Sequence, residues 1–460
     1  MNIRIQNLGA IREACIDLNK KLTVFCGPNN TGKTYVSYII YALTNDRISE
    51  PRFLPDEQLK MLVSDGSFNL DIDLDELYSY RNSRLSLIKS SLDNIFGISK
   101  EKAETYFCQF DISFLTTQEE FKNKLLSERF SLQFHVNDIV IKVTKKPGNQ
   151  SVQIENMSDD GKAISTDDAS VLSFKLLPTI YNCLAFYPNS TSVAFPVERN
   201  SIYTFNKELS IQRNLLVEQM QDLSSNKKVS PWDLLSKRAT RYPLAVRDGL
   251  NIAGDLLNLQ NHKSPFFEFA DDLENELLSG KVSVSKDGEV QFTSDKARTT
   301  KIPIHLTASI VKTLASLTFY LRHLAQSNDL IIIDEPELNL HPDSQIILTR
   351  IFARLLNKGF RLLISTHSDY IIRELNNLIM LSSASAEVKA KAEEFGYHKD
   401  EHIAADEVNA YLFNHKGRRK VVVKSIPVSE TGFEVETIDN AINSLNNVSE
   451  ELYYAMRYGE

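Results

Sequence analysis

The chain has 460 residues, 42% hydrophobic and 24% charged, an ordinary globular composition long enough for about two to four domains. Its formal net charge of −8 excludes a surface that is basic throughout, so any nucleic-acid contact requires a local patch. Cys15, Cys26, Cys108 and Cys183 form no C-x-x-C pair, and no run approaches the roughly 18 apolar residues needed to span a bilayer; reduced thiols, no structural metal, no membrane partner and a cytoplasmic protein are expected.

Ile3, Ile5 and Leu8, then Ile16 and Leu18, then Leu22 and Val24 recur mostly at a spacing of two, and they predict three short strands broken at Gly9 and at Asn19-Lys20-Lys21. The third runs into Gly27-Pro28-Asn29-Asn30-Thr31-Gly32-Lys33-Thr34, which is followed by the apolar stretch 35–43. Strand, glycine loop and helix make a phosphate-binding P-loop. The glycines let successive N–H groups curl around one anion, and the helix dipole aims its positive end there. Gly27, Asn29, Asn30, Thr31 and Gly32 form the cradle, Lys33 reaches the β- and γ-phosphates, and the Thr34 hydroxyl suits Mg²⁺.

From 46 to 171 no motif of phosphate chemistry occurs, and an α+β insertion is expected. Residues 71–96 read as largely helical, and Thr117-Gln118-Glu119-Glu120 is a capping box that opens another helix. Residues 131–143 and 151–157 alternate around Lys146-Pro147-Gly148-Asn149, a hairpin expected to extend the N-terminal strands. Apolar residues then crowd 172–186, and a strand is expected to end at Glu198-Arg199. Residues 206–294 form a second, mainly helical insertion. Lys227, Lys228, Lys237, Arg238, Arg241 and Arg247 gather there around Pro231-Trp232, as a contact surface for a partner or nucleic acid or as a solvated helical face.

In Asp329-Leu330-Ile331-Ile332-Ile333-Asp334-Glu335-Pro336, four apolar residues precede two acids, the pattern of a buried parallel strand that delivers carboxylates to its C-terminal edge. Asp334 is placed to hold Mg²⁺ beside Thr34, and Glu335 to polarise an attacking water. Arg361-Leu362-Leu363-Ile364-Ser365-Thr366-His367 is another buried strand, one helix later. A βαβ connection sets the two side by side, within reach of the γ-phosphate for His367.

"GPNNTGKT", "IIIDEPELNLHP" and "ISTHSDY" together resemble the ABC-type ATPase heads of the SMC and OLD (overcoming lysogenization defect) group, over about 1–45, 175–205 and 295–385. "FPVERN" (195–200) and "RYPLAVRDGL" (241–250) are similar to segments of single-chain ATPases in bacterial anti-phage systems. The resemblance implies an α/β fold with a mixed sheet and an N-terminal antiparallel β subdomain. The head is then discontinuous, over 1–45, 172–205 and 295–460. The resemblance also implies Mg²⁺-ATP as ligand, Lys33 and Thr34 as Walker A, Asp334 and Glu335 as Walker B, and His367 as switch histidine. Two protomers sandwich ATP in such heads, with Asn339 to His341 at the seam and Ser309 reaching the γ-phosphate from the opposite protomer.

Ile310 stands where related signatures carry Gly, so the trans half of the site is expected to be altered and turnover slow or partner-dependent. No Q-loop glutamine is found; Glu198-Arg199 is a substitute for contacting Mg²⁺ or phosphate, or a structural ion pair. The stretch Arg418 to Lys424 lacks the acid that would begin a Toprim nuclease site. Residues 435–456 read as a terminal helix packed on the head. The expected function is an ATP-hydrolysing homodimer, or an assembly of dimers, that controls a separate nuclease or toxin in anti-phage defence, with DNA or a phage component as further partners. The alternatives are a DNA repair or chromosome-maintenance ATPase and a nucleotide-gated scaffold with little turnover.

Overall fold

The computed structural model describes residues 1–45, 53–136, 139–157, 166–189, 191–205, 242–297, 299–383, 385–417 and 420–458. Lys227, Lys228, Lys237, Arg238 and Arg241, with the expected contact surface around Pro231-Trp232, lie outside the described residues.

The N-terminal alternation forms strands β1 (Asn2–Leu8), β2 (Ile11–Asp17) and β3 (Leu22–Cys26), and helix α1 (Lys33–Thr44) follows the glycine loop. Next come β4 (Ser67–Asp71), α2 (Leu74–Ser90), β5 (Asp111–Phe114), β6 (Phe130–Val136), β7 (Ile139–Lys145), β8 (Ser151–Asn156), α3 (Thr166–Ala185) and β9 (Ser192–Phe195). The C-terminal half adds β10 (Gly280–Val284), β11 (Val290–Ser294), β12 (Lys301–Pro303), α4 (Ser309–His323), β13 (Leu330–Asp334), α5 (Pro342–Asn357), β14 (Arg361–Thr366), α6 (Asp369–Met380), β15 (Val408–Lys416), β16 (Lys420–Ile426) and α7 (Glu436–Tyr458).

Nine strands form one mixed sheet in the order β5-β1-β2-β16-β15-β3-β14-β13-β9. From β15 to β9 every pairing is parallel, whereas β5, β1 and β2 pair antiparallel. This is the α/β class and the antiparallel N-terminal portion expected. The parallel strands are apolar on both faces because both are covered. Leu22, Val24, Ile331, Ile333, Leu362 and Ile364 face a core shared with Leu314 of α4, Phe352 of α5 and Leu375 of α6. Phe25, Leu330, Ile332 and Leu363 face the opposite core, with Val36, Ile39 and Ile40 of α1. Each such side chain, fully buried, contributes about 1.5–3 kcal/mol, so the period-two alternation pins register and anchors α1 beneath the strand that feeds it.

Several expectations change. β2 and β3 are consecutive in sequence but not neighbours, since β16 and β15 lie between them. The hairpin around Gly148 is β7–β8, and it belongs to a separate four-stranded sheet, β4-β8-β7-β6; β5 is the strand that extends β1. The capping box at Thr117 forms, with both reciprocal bonds present. The core that holds Ile3, Ile5 and Val36 continues through Leu70, Leu77 and Ile112. Within 206–294, β10 and β11 form a hairpin that joins β12 in a three-stranded sheet. The strand expected to end at Glu198-Arg199 ends at Phe195, where the chain turns with the Arg199 N–H donated to the Pro196 carbonyl at 3.1 Å, and a helix over 199–205 follows. The terminal helix α7 does not pack on the head along its length: it contains no buried residue, and Leu445 and Leu452 are 68% and 65% exposed.

Candidate active site

The parallel order places three strand ends together: β3 feeds the glycine loop, β14 lies beside it, and β13 lies beyond β14. The loop is shaped by backbone that only certain residues tolerate. Gly27 has φ 130°, and a Cβ there would sit 2.0 Å from the Phe413 carbonyl oxygen on β15. Gly32, at φ 86°, turns the chain into α1, and Asn30 is also left-handed at φ 61°. The Thr31 hydroxyl donates to the Pro28 carbonyl at 2.8 Å, which closes the loop on itself.

Lys33 is buried and its Nζ donates to the carbonyls of Gly27 at 2.9 Å and Pro28 at 3.0 Å. Burial lowers its pKa, and the charges of Asp334 and Glu335 oppose that shift. The Thr34 hydroxyl donates to Asp334 Oδ2 at 2.7 Å, across 300 residues of chain. The other Asp334 oxygen accepts from the Ser365 hydroxyl at the end of β14. A hydroxyl beside a carboxylate is a hard oxygen pair of the kind Mg²⁺ takes together with water and phosphate, so the donor set at Thr34 and Asp334 fits that ion.

Glu335 leaves the strand in a left-handed conformation, φ 48°, with its N–H donated to the Ser365 carbonyl at 2.9 Å. Burial, then the neighbouring Asp334 charge, pushes its carboxyl pKa up, against Lys33 and Arg199. His367 Nε2 lies 3.8 Å from Glu335 Oε1. Burial, and then Lys33, lowers the imidazole pKa against the opposing effect of Asp334, so His367 is neutral near pH 7. Glu337, which the sequence reading did not single out, accepts from the His367 N–H at 2.6 Å and from the Thr366 hydroxyl at 3.0 Å. It sets where the histidine stands. Ser365 was equally missed, although both residues lie within the quoted motifs.

Other expected residues are placed differently. Arg199 is 3% exposed. Its guanidinium donates to the carbonyls of Pro196 at 3.1 Å and of Asp334 and Glu335 at 2.6 Å each, which makes it a brace for main chain in place of the expected phosphate or Mg²⁺ contact. Ser309 stands exposed at the first position of α4, whose N-cap Ala308 offers no side-chain bond. Ile310 is half-buried and packs on the core beneath that helix. Left-handed backbone recurs in the turn after the acids, where Asn339 has φ 61° and its amide donates to the Thr313 hydroxyl at 3.5 Å. His341 caps α5, accepting from the Asp343 N–H at 3.4 Å.

A cradle of loop N–H groups, a buried ammonium, an oxygen pair for a cation and a carboxylate beside a neutral histidine can bind a triphosphate and activate water against it. A family model described as an AAA ATPase domain matches residues 1–372. No curated protein matches the chain. Among solved structures, the chain is similar to the SMC head bound to the C-winged helix domain of ScpA, at 10% identity and a TM-score of 0.34, covering 93% of this chain and 98% of that one. It is also similar to the SMC head domain from Thermotoga maritima, at 10% identity and a TM-score of 0.29, with the same coverage.

Proposed function

The chain belongs to the AAA ATPase domain family, and from that premise we propose that it hydrolyses ATP between two copies of itself and thereby controls a separate effector in anti-phage defence. The observation that carries the reading is the meeting of Lys33, Thr34, Asp334, Glu335 and His367 at the ends of neighbouring parallel strands. Bound Mg²⁺ supplies charge neutralisation for the phosphates, held through Thr34 and Asp334. Glu335, held in a partly buried site next to Lys33, takes the proton of the attacking water, and His367 steadies the γ-phosphate side of the site.

The exposed start of α4 at Ser309 and the left-handed turn at Asn339 support a site completed by a second copy, since among the described residues neither hydrogen-bonds to the phosphate loop. Loss of the γ-phosphate then releases the two copies, and that release is the signal. The effector, a nuclease or toxin, rests on the resemblance of 195–200 and 241–250 to anti-phage ATPases. Affinity purification from the native host with ATP present tests this step. A co-purifying nuclease or toxin supports defence; DNA alone, with DNA-stimulated hydrolysis, replaces it with repair or chromosome maintenance.

A further inference from the structure

The guanidinium of Arg199 is spent entirely on main chain. Its Nη1 and Nη2 each donate at 2.6 Å, to the consecutive carbonyls of Asp334 and Glu335. Nη1 also shares the Pro196 carbonyl, 3.1 Å away, with the main-chain N–H of Arg199 itself. Among the described residues its hydrogen bonds go to carbonyls alone, so this is not an ion pair. We propose that Arg199 is a positioning residue for hydrolysis, which holds the Asp334–Glu335 main chain in the turn that aims Glu335 into the site. This rests on the reading of the site as one of ATP hydrolysis, because Arg199 touches no reacting atom.

The end of β9 explains why an arginine is needed there. β9 pairs with β13 as far as Ile333 opposite Phe195; the chain then turns, with the Arg199 N–H donated to the Pro196 carbonyl, so the ladder ends before Val197, whose N–H would be the next donor on that side. The Asp334 carbonyl, next along β13, would be left without a ladder partner on that side. Consecutive carbonyls of an extended strand point to opposite neighbours. Glu335 departs from that rule: its φ of 48° turns its carbonyl towards the side of the Asp334 carbonyl, so one planar fork reaches both. A non-glycine residue held there is strained and persists only when its surroundings enforce it.

The Ser365 carbonyl restrains the Glu335 N–H at 2.9 Å, and Arg199 restrains its carbonyl, so the peptide groups on both sides of the catalytic side chain are held. Lysine has one point-like ammonium and lacks the rigid planar fork whose two separate nitrogens each meet one carbonyl here.

Arg199→Met and Arg199→Lys test the assignment, with Lys33→Ala as the reference for lost nucleotide binding. Three quantities are read on the full chain: ATP affinity, kcat, and amide hydrogen exchange over 333–339. In Arg199→Met, kcat is expected to fall about 100-fold, the scale of a misplacement of about 1 Å, while affinity stays within about threefold. Exchange at Glu335, Glu337 and Leu338 accelerates, and Arg199→Lys falls between the two. Unchanged kcat with unchanged exchange overturns the proposal, as does a parallel loss of affinity and kcat in the size- and charge-preserving Arg199→Lys. Wild-type protein without Lys33-dependent hydrolysis would instead overturn the parent reading, and the hydrolytic role of Arg199 with it; the exchange data then decide the brace alone.

Discussion

Glu335→Gln separates base chemistry from everything else that the residue does. The substitution is isosteric, and the groups that hold position 335, the Ser365 carbonyl and the Arg199 guanidinium, grip main-chain atoms that it leaves in place. What is lost is the proton acceptor, whose side chain is 34% exposed with Oε1 3.8 Å from His367 Nε2. A positioned general base contributes about 10²–10⁴ in rate, or roughly 3–5.5 kcal/mol of barrier at about 1.4 kcal/mol per tenfold. Removing the charge also relieves the repulsion by which Asp334 raises the Glu335 pKa, so ATP affinity should hold or rise. Single-turnover phosphate release measures the first effect, and light scattering with ATP measures the second as accumulation of a closed dimer. Hydrolysis by Glu335→Gln at the wild-type rate would refute the assignment of Glu335 as base.

Three further outcomes follow from the same geometry. Lys33→Ala removes a cation whose hydrogen bonds go to loop carbonyls, so filter binding should show ATP affinity reduced by at least about tenfold with an unchanged melting transition. Gly27→Ala drives a Cβ to 2.0 Å from the Phe413 carbonyl, and strain plus overpacking should cost roughly 2–6 kcal/mol in denaturant titration. Gly148→Ala, with φ 81° and open space around it, should cost only about 1–2 kcal/mol, and equal losses would disprove the role given to the β15 contact. His323 bonds the His262 carbonyl at 2.6 Å, and burial lowers its pKa below 6.5. The unfolded chain therefore takes up that proton first, and stability is lost as pH falls through about 6.5; melting curves of His323→Gln should show a shallower decline.

The elements legible in the sequence are those for which local chemistry leaves few options. Gly27 and Gly32 sit where φ is 130° and 86°, and the run Leu330 to Ile333 is apolar throughout because both of its faces are covered. Periodicity over 131–143 and 151–157 suggested a two-stranded hairpin, but 131–143 is divided between β6 and β7, and periodicity carries no information on which sheet receives it: β5, not that hairpin, took the edge of β1. The insertion of β15 and β16 between β2 and β3 is a pairing across almost 400 residues of chain that no window on the sequence contains. β10–β11 did leave a signal, the alternation of Val282, Val284, Val290 and Phe292 around Asp287-Gly288, a hairpin signature passed over within an otherwise helical stretch. The apolar spacing of Leu445, Val448 and Leu452 fits an amphipathic helix but does not say what covers its face, and Leu445 and Leu452 are 68% and 65% exposed.

The roles of Ser365 and Arg199 were illegible for a different reason, and together they explain why the acidic pair works where it stands. The phosphate loop and the acids are on strands that are not neighbours: β14 lies between β3 and β13, which puts those two strands two spacings or roughly 9.5 Å apart in the sheet, and Thr34 and Asp334 meet over the end of the strand between them. Ser365, at that strand end, props Asp334 from below with its hydroxyl and Glu335 with its carbonyl. On the far flank β9 stops one residue short, and Arg199 replaces the missing ladder donor. The two acids are thus aimed by the strands beside them, and among the described residues between 46 and 190 none bonds to either, which explains how so long a stretch can separate the loop from the acids without loosening the site.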